Sequence, residues 1–280
     1  WKECKSLQEE LVKTRRELHQ IPEFGFDLPK TQAYVIRILE ELEIPYKCSS
    51  KDSGIIAEIK GEKPGKTVAL RADMDALKIQ EENDVDYKSI HDGFMHACGH
   101  DTHITMLLGA AKILNQHKED LQGTVRLLFQ TAEELAKGSQ VMIEEGGMDN
   151  VDAVFGQHIG SIMNKDIPSG KVIIVPGCCM ASYDRFSIKV NGHGCHGSTP
   201  EKGIDPVNIA SHIVIALQEI IAREVSAVKP AVITIGMIHG GVAYNAIPSI
   251  VEIEGTIRAL EEPVRQHLAK RIKEISEQTA

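Results

Sequence analysis

Residues 95–103, MHACGHDTH, gather three histidines, a cysteine and an aspartate within nine positions. Cys98 and His100 are separated by one residue, so in an extended or turning backbone both side chains can point to one side. A thiolate with imidazole and carboxylate donors suits a borderline-soft divalent ion such as Zn²⁺, Co²⁺ or Ni²⁺; Mn²⁺ is less natural beside sulfur. Taken alone, the stretch is equally a polar turn rich in soft donors. It becomes a ligand set only if distant segments bring partners to the same place.

Three other segments carry suitable partners. KTVALRA runs into Asp73 and Asp75, TVRLLFQ into Glu133 and Glu134, and DAVFGQ into His158. Two adjacent glutamates can divide labour, one binding metal while the other serves as general base toward water. Asp75 suits the fixing of a ligating histidine's tautomer. Each residue also has a plainer reading: a solvated helix start for the glutamates, a turn cap for Asp73, a backbone-bonded strand end for His158. Taken together, the plainer readings require four coincidences. His96 and His103 read as structural and Asp101 as a cap on the following helix. His19, His91, His117, His212, His239 and His267 read as surface or packing residues. Cys4, Cys48, Cys178, Cys179 and Cys195 read as ordinary thiols, since no CxxC or regular framework points to disulfides.

The elements that must position these groups alternate in type. Residues 5–20 and 30–42 have amphipathic helical patterns, the second with Pro29 at its start and Pro45 beyond its end. Strand patterns follow at GIIAEIKG and at 66–72, separated by a turn at GEKPGK. A helix is expected at 104–117, strands at 123–130 and 152–157, and a helix at 138–146. Such alternation predicts an α/β domain with a mostly parallel sheet. Its strands would end at the polar segments, the edge at which open α/β sheets bind ligands. From Ser182 the order becomes strand, helix (206–224), two strands and a last helix (263–278), a small two-layer α+β unit short of one strand. The boundary is set between residues 1–181 and 182–280, where PGCCMAS breaks the pattern.

The whole chain of 280 residues is 42% hydrophobic and 25% charged, an ordinary globular composition with a net charge of −9. That balance, with no basic run, argues against nucleic acid or an anionic membrane surface as partner. No apolar stretch is long enough to span a bilayer, and a cytoplasmic location is expected. The opening residue, Trp1 rather than Met, suggests numbering from an internal start.

Seven motifs occur in a telling order: RRELHQIPEFGF, LRADMDAL, MHACGHDTHITMLLGAA, GTVRLLFQTAEE, VDAVFGQHI, GHGCHGSTPEKGIDP and GGVAYNAIP. From about Leu11 onward the chain resembles the metal-dependent amidohydrolases of the aminoacylase/carboxypeptidase metallopeptidase superfamily. These include hippurate hydrolase, the indole-acetyl-amino-acid hydrolases and N-acetyl-diaminopimelate deacetylase. The resemblance implies a zinc-peptidase-like catalytic domain and a smaller lid that pairs two subunits into a homodimer. It implies two divalent ions (Zn, Mn, Co or Ni), with Cys98 bridging them, His100 and His158 on one, Glu134 on the other, and Glu133 as catalytic base. His196 and Asn245 match lid residues that reach the partner's site to hold substrate or oxyanion. The implied reaction is hydrolysis of the amide of an N-acyl amino acid. A dipeptidase or carboxypeptidase on the same scaffold, or a truncated metal-binding relative without activity, are the alternatives.

Two departures carry expectations of their own. GCHGSTPEKG lacks the alanines that commonly follow the histidine and the second histidine after the proline, so substrate contacts there should differ. The chain stops at QTA, whereas the resembled proteins continue through a last lid strand, back to the catalytic domain, and supply one more histidine ligand. An incomplete metal site with weak or absent activity is the expectation for these 280 residues.

Overall fold

The structure, a computed structural model, describes residues 2–160 and 167–280. The chain folds into two compact units, Trp1–Pro168 and Ser169–Ala280.

The first unit opens with α1 (Lys2–Ser6), α2 (Gln8–His19) and α3 (Pro29–Glu41). Proline at the first helical position of α3 costs nothing, because no intrahelical partner exists for that N–H. Glu23 supplies the cap instead: its two carboxylate oxygens accept from the backbone N–H groups of Lys30 and Thr31, at 3.2 and 2.9 Å. Thr31, Val35 and Leu39, spaced by four, form the buried stripe of α3.

Five strands follow in the order β1 (Tyr46–Cys48), β2 (Ile55–Lys60), β3 (Lys63–Asp73), β4 (Gln122–Gln130) and β5 (Ala153–Gly156); α4 (His100–Gln116) lies between β3 and β4, and α5 (Gly138–Glu144) between β4 and β5. The spatial order is β1-β2-β4-β3-β5. Pairings β1–β2 and β2–β4 are antiparallel, and only β4–β3 and β3–β5 are parallel. The sheet is therefore mixed, not mostly parallel. Only Gly61 and Glu62 join β2 to β3, too few residues for a crossover, so these strands must run in opposite directions. β4 then inserts between them. The close crossing explains Gly123, whose φ is +88° and where a Cβ would stand 2.0 Å from the Lys66 carbonyl oxygen. The turn expected through GEKPGK is shorter than its sequence suggests, because β3 already begins at Lys63.

Ile55, Ala57 and Ile59 of β2, Leu127 and Phe129 of β4, and Ile104, Leu107, Leu108 and Ala111 of α4 share one core with α2 and α3. On the opposite face, Ala69 and Leu128 pack with Met142 of α5. The sheet thus has helices on both faces, which leaves its carboxyl edge free for chemistry.

The second unit holds β6 (Asp184–Asn191), β7 (Cys195–His196), α6 (Pro206–Glu219) continued by a π-turn at Ile220–Glu224, β8 (Ala231–Gly240), β9 (Ala246–Ile247), β10 (Ile250–Ala259) and α7 (Glu262–Thr279). The long strands form an antiparallel sheet in the order β6-β10-β8. Asp205 caps α6 through Val207 and Asn208 N–H. Ile213 and Leu217 of α6 and Leu268 and Ile272 of α7 bury against Val251, Ile253 and Ile257, the inward alternate residues of β10. Between the compact units' boundary and β6, residues 169–183 contain neither helix nor strand, and the boundary read from sequence at 181/182 falls within that stretch. No helix among the described residues is long and apolar enough to cross a membrane.

Candidate metal and catalytic centre

β4, β3 and β5 are parallel neighbours, so their carboxyl ends open at one place. Gln130, Asp73 and Gly156 are their last residues, and Asp75, Glu133–Glu134 and His158 lie two to four residues beyond. The MHACGHDTH segment enters the same place from the amino end of α4. The helix begins at His100, not near Ile104, so His100, Asp101 and His103 belong to its first turn. Its N-cap is Gly99, with φ +91°, and not a side chain; the one backbone N–H that the Asp101 carboxylate accepts is that of its neighbour Thr102, so Asp101 is not the cap. A Cβ at Gly99 would also come within 2.1 Å of Ile159 Cδ1. The left-handed glycine lets Cys98 and His100 face inward together while the chain around His158 lies against it.

The polar groups converge closely. Cys98, His100 and His158 offer donor atoms within 4.8 Å of one another, as do His100, Glu133 and Glu134 and, separately, Asp73, His100 and His103. Cys98 Sγ lies 3.2 Å from His158 Nε2. His100 Nε2 lies 3.8 Å from Glu133 Oε2 and 3.9 Å from Glu134 Oε1.

Both ligand-type histidines are oriented the same way. His100 donates Nδ1–H to the Asp75 carbonyl at 2.7 Å, and His158 donates Nδ1–H to the Ile159 carbonyl at 2.7 Å. Each therefore presents a bare Nε2 lone pair to the cluster, as a metal-binding histidine does. Asp75 does fix the tautomer of a ligating histidine, through its main chain. Its backbone carbonyl makes that bond, and Asp75 Oδ1 stands off at 3.6 Å. The carboxylate instead accepts the N–H groups of Glu133 and Glu134, at 3.0 and 3.2 Å, and so ties the glutamate pair to the end of β3.

Two atoms in the cluster are buried without a hydrogen-bond partner: His100 Nε2 and Glu134 Oε1. A buried lone pair left unpaired is costly, and here both point into the same space. Electrostatics agree. Burial pushes the Cys98 thiol up to about 12, with the charges of Glu134, Glu133 and Asp73 adding to the effect. Burial also raises the Glu134 carboxyl, Glu133 and Asp75 contributing while His100 and Cys98 oppose. Burial lowers His100, but the hydrogen bond to Asp75 and the charges of Asp73, Asp75 and Glu133 outweigh it and leave it raised. The pocket concentrates negative charge around S, N and O donors. The residues present fit a divalent cation.

Around this centre lie residues whose pairings carry little signal in the sequence. Asp73 is buried and holds His103 Nδ1 at 2.6 Å and Arg71 Nη1 at 2.7 Å. Burial alone would raise its carboxyl, but His103, His100 and Arg71 hold it well below the usual range. His19 is no surface residue: it is buried, with Nδ1 2.7 Å from Asp101 and Nε2 3.1 Å from Glu81. Arg15 adds a bond to Asp101 at 2.9 Å. RRELH reads as the end of an amphipathic helix, and nothing local marks Asp101 as the distant partner of His19. His96 is buried with both ring nitrogens unpartnered, and burial brings its pKa down to about 4. Ala132 and Ala136, at φ +48° and +53°, flank the glutamate pair with backbone strain that no residue type announces.

In the second unit His196 and Asn245 come together. β7 pairs with β9, placing His196 opposite Ala246, and Gly197 N–H donates to the Asn245 carbonyl at 2.9 Å. Both side chains belong to exposed residues.

Comparison with known proteins adds lineage. The model for Peptidase family M20/M25/M40 matches residues 69–274. The chain is 42% identical over 274 residues to N-acetyl-L-cysteine deacetylase of Bacillus subtilis, covering 98% of this chain and 65% of that protein. It is 44% identical over 266 residues to thermostable carboxypeptidase 2 of Saccharolobus solfataricus, covering 94% of this chain and 67% of that one. Among solved structures, a dinuclear metal-binding peptidase of the M20 family from Bacillus subtilis superposes with a TM-score of 0.81 at 37% identity, over 98% of this chain and 70% of that chain. The chain thus spans just under two thirds of the length of the deacetylase it matches.

Proposed function

We propose that this chain, which belongs to Peptidase family M20/M25/M40, carries the metal and base centre of an amidohydrolase that cleaves the amide bond of N-acyl amino acids. The observation that carries the reading is the pair of buried, unpartnered atoms, His100 Nε2 and Glu134 Oε1, aimed at the space also faced by Cys98 and His158. Cys98, His100, His158 and Glu134 would hold divalent metal of the Zn, Mn, Co or Ni type. Such ions, when bound, supply Lewis-acid polarisation of the acyl carbonyl and lower the pKa of water.

Glu133 is the general base. Its side chain is 39% exposed, beside the buried His100, so it can meet both solvent and substrate. It takes a proton from the attacking water and returns it to the leaving amine nitrogen as the amide C–N bond breaks. Asp75 keeps the Glu133–Glu134 turn in place through its two N–H acceptances. Residues 182–280 form a lid and dimerisation domain. Its neighbouring residues His196 and Asn245 would be presented to the site of a second copy, where Asn245 donates to the developing oxyanion. The six unpaired cysteines suit a reducing, cytoplasmic setting.

A second reading, cleavage of a C-terminal residue from a peptide, is favoured by the similarity to a carboxypeptidase at 44% identity. A panel of acetyl- and benzoyl-amino acids against blocked dipeptides separates the two. Glu133→Gln tests the mechanism common to both. It should retain metal and lose turnover, and turnover at the unmodified rate removes Glu133 as the base.

A further inference from the structure

We propose that His103 is a positioning residue: it grips the Ile159 peptide that orients His158, and so sets the affinity for the ion held by Cys98, His100 and His158. The inference rests on the metal-centre reading above.

Ile159 is held from two sides. Its N–H donates to His103 Nε2 at 3.0 Å, and its carbonyl accepts His158 Nδ1–H at 2.7 Å. A nitrogen that accepts an N–H carries no proton, so the His103 hydrogen sits on Nδ1, where Asp73 Oδ1 accepts it at 2.6 Å. The other oxygen of Asp73 takes Arg71 Nη1 at 2.7 Å, and Arg71 Nε reaches Gln130 Oε1 at 3.0 Å. One polar chain therefore joins the last residue of β4, the end of β3, the first turn of α4 and the exit of β5. The His103 and His158 rings also meet edge to face, with centroids 4.6 Å apart.

Two other contacts act on this exit: Gln157 Nε2 meets Met106 Sδ of α4 at 2.8 Å, and the Ile159 side chain lies close against Gly99. Among the described residues β5 is an edge strand of four residues, all exposed, paired with β3 alone. Apolar burial cannot fix where its continuation lies. His103 and Asp73, by contrast, are almost fully buried, 3% and 1% exposed, where hydrogen bonds are directional and not exchanged for water. His158 is the ligand with the least packing of its own, and the His103–Ile159 link supplies what packing does not. His103 lies one helical turn beyond His100, so α4 presents one histidine to the ion and the next to the strand that carries its partner ligand.

The test is a Co²⁺ titration of the metal-free chain, followed by the thiolate-to-cobalt absorption of Cys98 and by calorimetry. The unmodified chain, His103→Phe and His103→Gln are compared. His103→Phe, which keeps the ring volume and loses both hydrogen bonds, should weaken binding by roughly ten- to a hundredfold, the usual cost of losing an outer hydrogen-bond partner. His103→Gln can place an amide oxygen for the Ile159 N–H and should recover most of that loss. Equal affinity in His103→Phe overturns the inference, as does a Gln variant as weak as Phe. Should the Phe variant not fold, ¹⁵N-histidine spectra of the unmodified chain decide, the Gln variant giving the assignment: a His103 proton on Nδ1 supports the proposal and one on Nε2 overturns it. No cobalt uptake by the unmodified chain defeats the metal-centre reading itself; normal uptake unaffected by His103→Phe defeats only this inference.

Discussion

Replacing Gly99 by alanine perturbs the centre at the residue between two of its ligands without touching a donor atom. Two costs can be worked out separately. At φ +91° an alanine pays the left-handed penalty of an L-residue, about 1–2 kcal/mol. Its Cβ would also sit 2.1 Å from Ile159 Cδ1 and 2.8 Å from Ile159 Cγ1. Those atoms belong to a movable side chain, so relief by rotation should limit this part to about 1 kcal/mol, the low end of overpacking costs. The sum, about 2–3 kcal/mol, is a large share of the 5–15 kcal/mol that holds a typical domain together. Urea unfolding followed by circular dichroism measures it, in the parent and in an Ile159→Ala background. With Ile159 shortened, the penalty of Gly99→Ala should fall to the backbone part alone, leaving a coupling energy of about 1 kcal/mol. A Gly99→Ala chain within about 0.5 kcal/mol of the parent would refute the claim that a left-handed residue is needed there.

Two further outcomes follow from the same geometry. The Cys98 thiol, pushed up to about 12, stays protonated in neutral solution, so an ion binding its sulfur must displace that proton. Apparent metal affinity should therefore rise with pH by about tenfold per unit from this group, with one proton released per chain; calorimetry in buffers of different ionisation heat counts it, and a pH-independent affinity would contradict a thiolate ligand. Asn245→Ala should slow turnover with little change in bound metal. A rate equal to that of the unmodified protein takes Asn245 out of the oxyanion site.

What the sequence reveals and what it conceals differ in kind. The convergence of Asp73, Asp75, Glu133, Glu134 and His158 on one sheet edge is legible because each ends an apolar run, and strand periodicity fixes where such runs stop. The ordered motifs make the family legible as well. Sheet order is concealed: β2 and β3 look like consecutive partners, whereas β4 inserts between them, and the two-residue connection that reverses β3 against β2 makes the sheet mixed. The start of α4 is missed because HDTH is polar and carries no side-chain cap; a left-handed Gly99 takes that place. His19 and Asp101, and likewise Asp73 and His103, are invisible as pairs, since partners 82 and 30 residues apart leave no local trace. The role of the Asp75 carbonyl is hidden for a plainer reason, because every residue has one.

The most direct test of the metal-centre account is metal content per chain, by elemental analysis after mild purification and reloading with Zn²⁺, Mn²⁺, Co²⁺ or Ni²⁺, alongside hydrolysis of acetyl- and benzoyl-amino acids. The account predicts firmly bound divalent metal at the Cys98, His100, His158 and Glu134 donors, with whatever amide hydrolysis the chain performs depending on it. A folded chain that takes up no metal at saturating concentrations would contradict it, leaving His100 Nε2 and Glu134 Oε1 as buried polar atoms without a function.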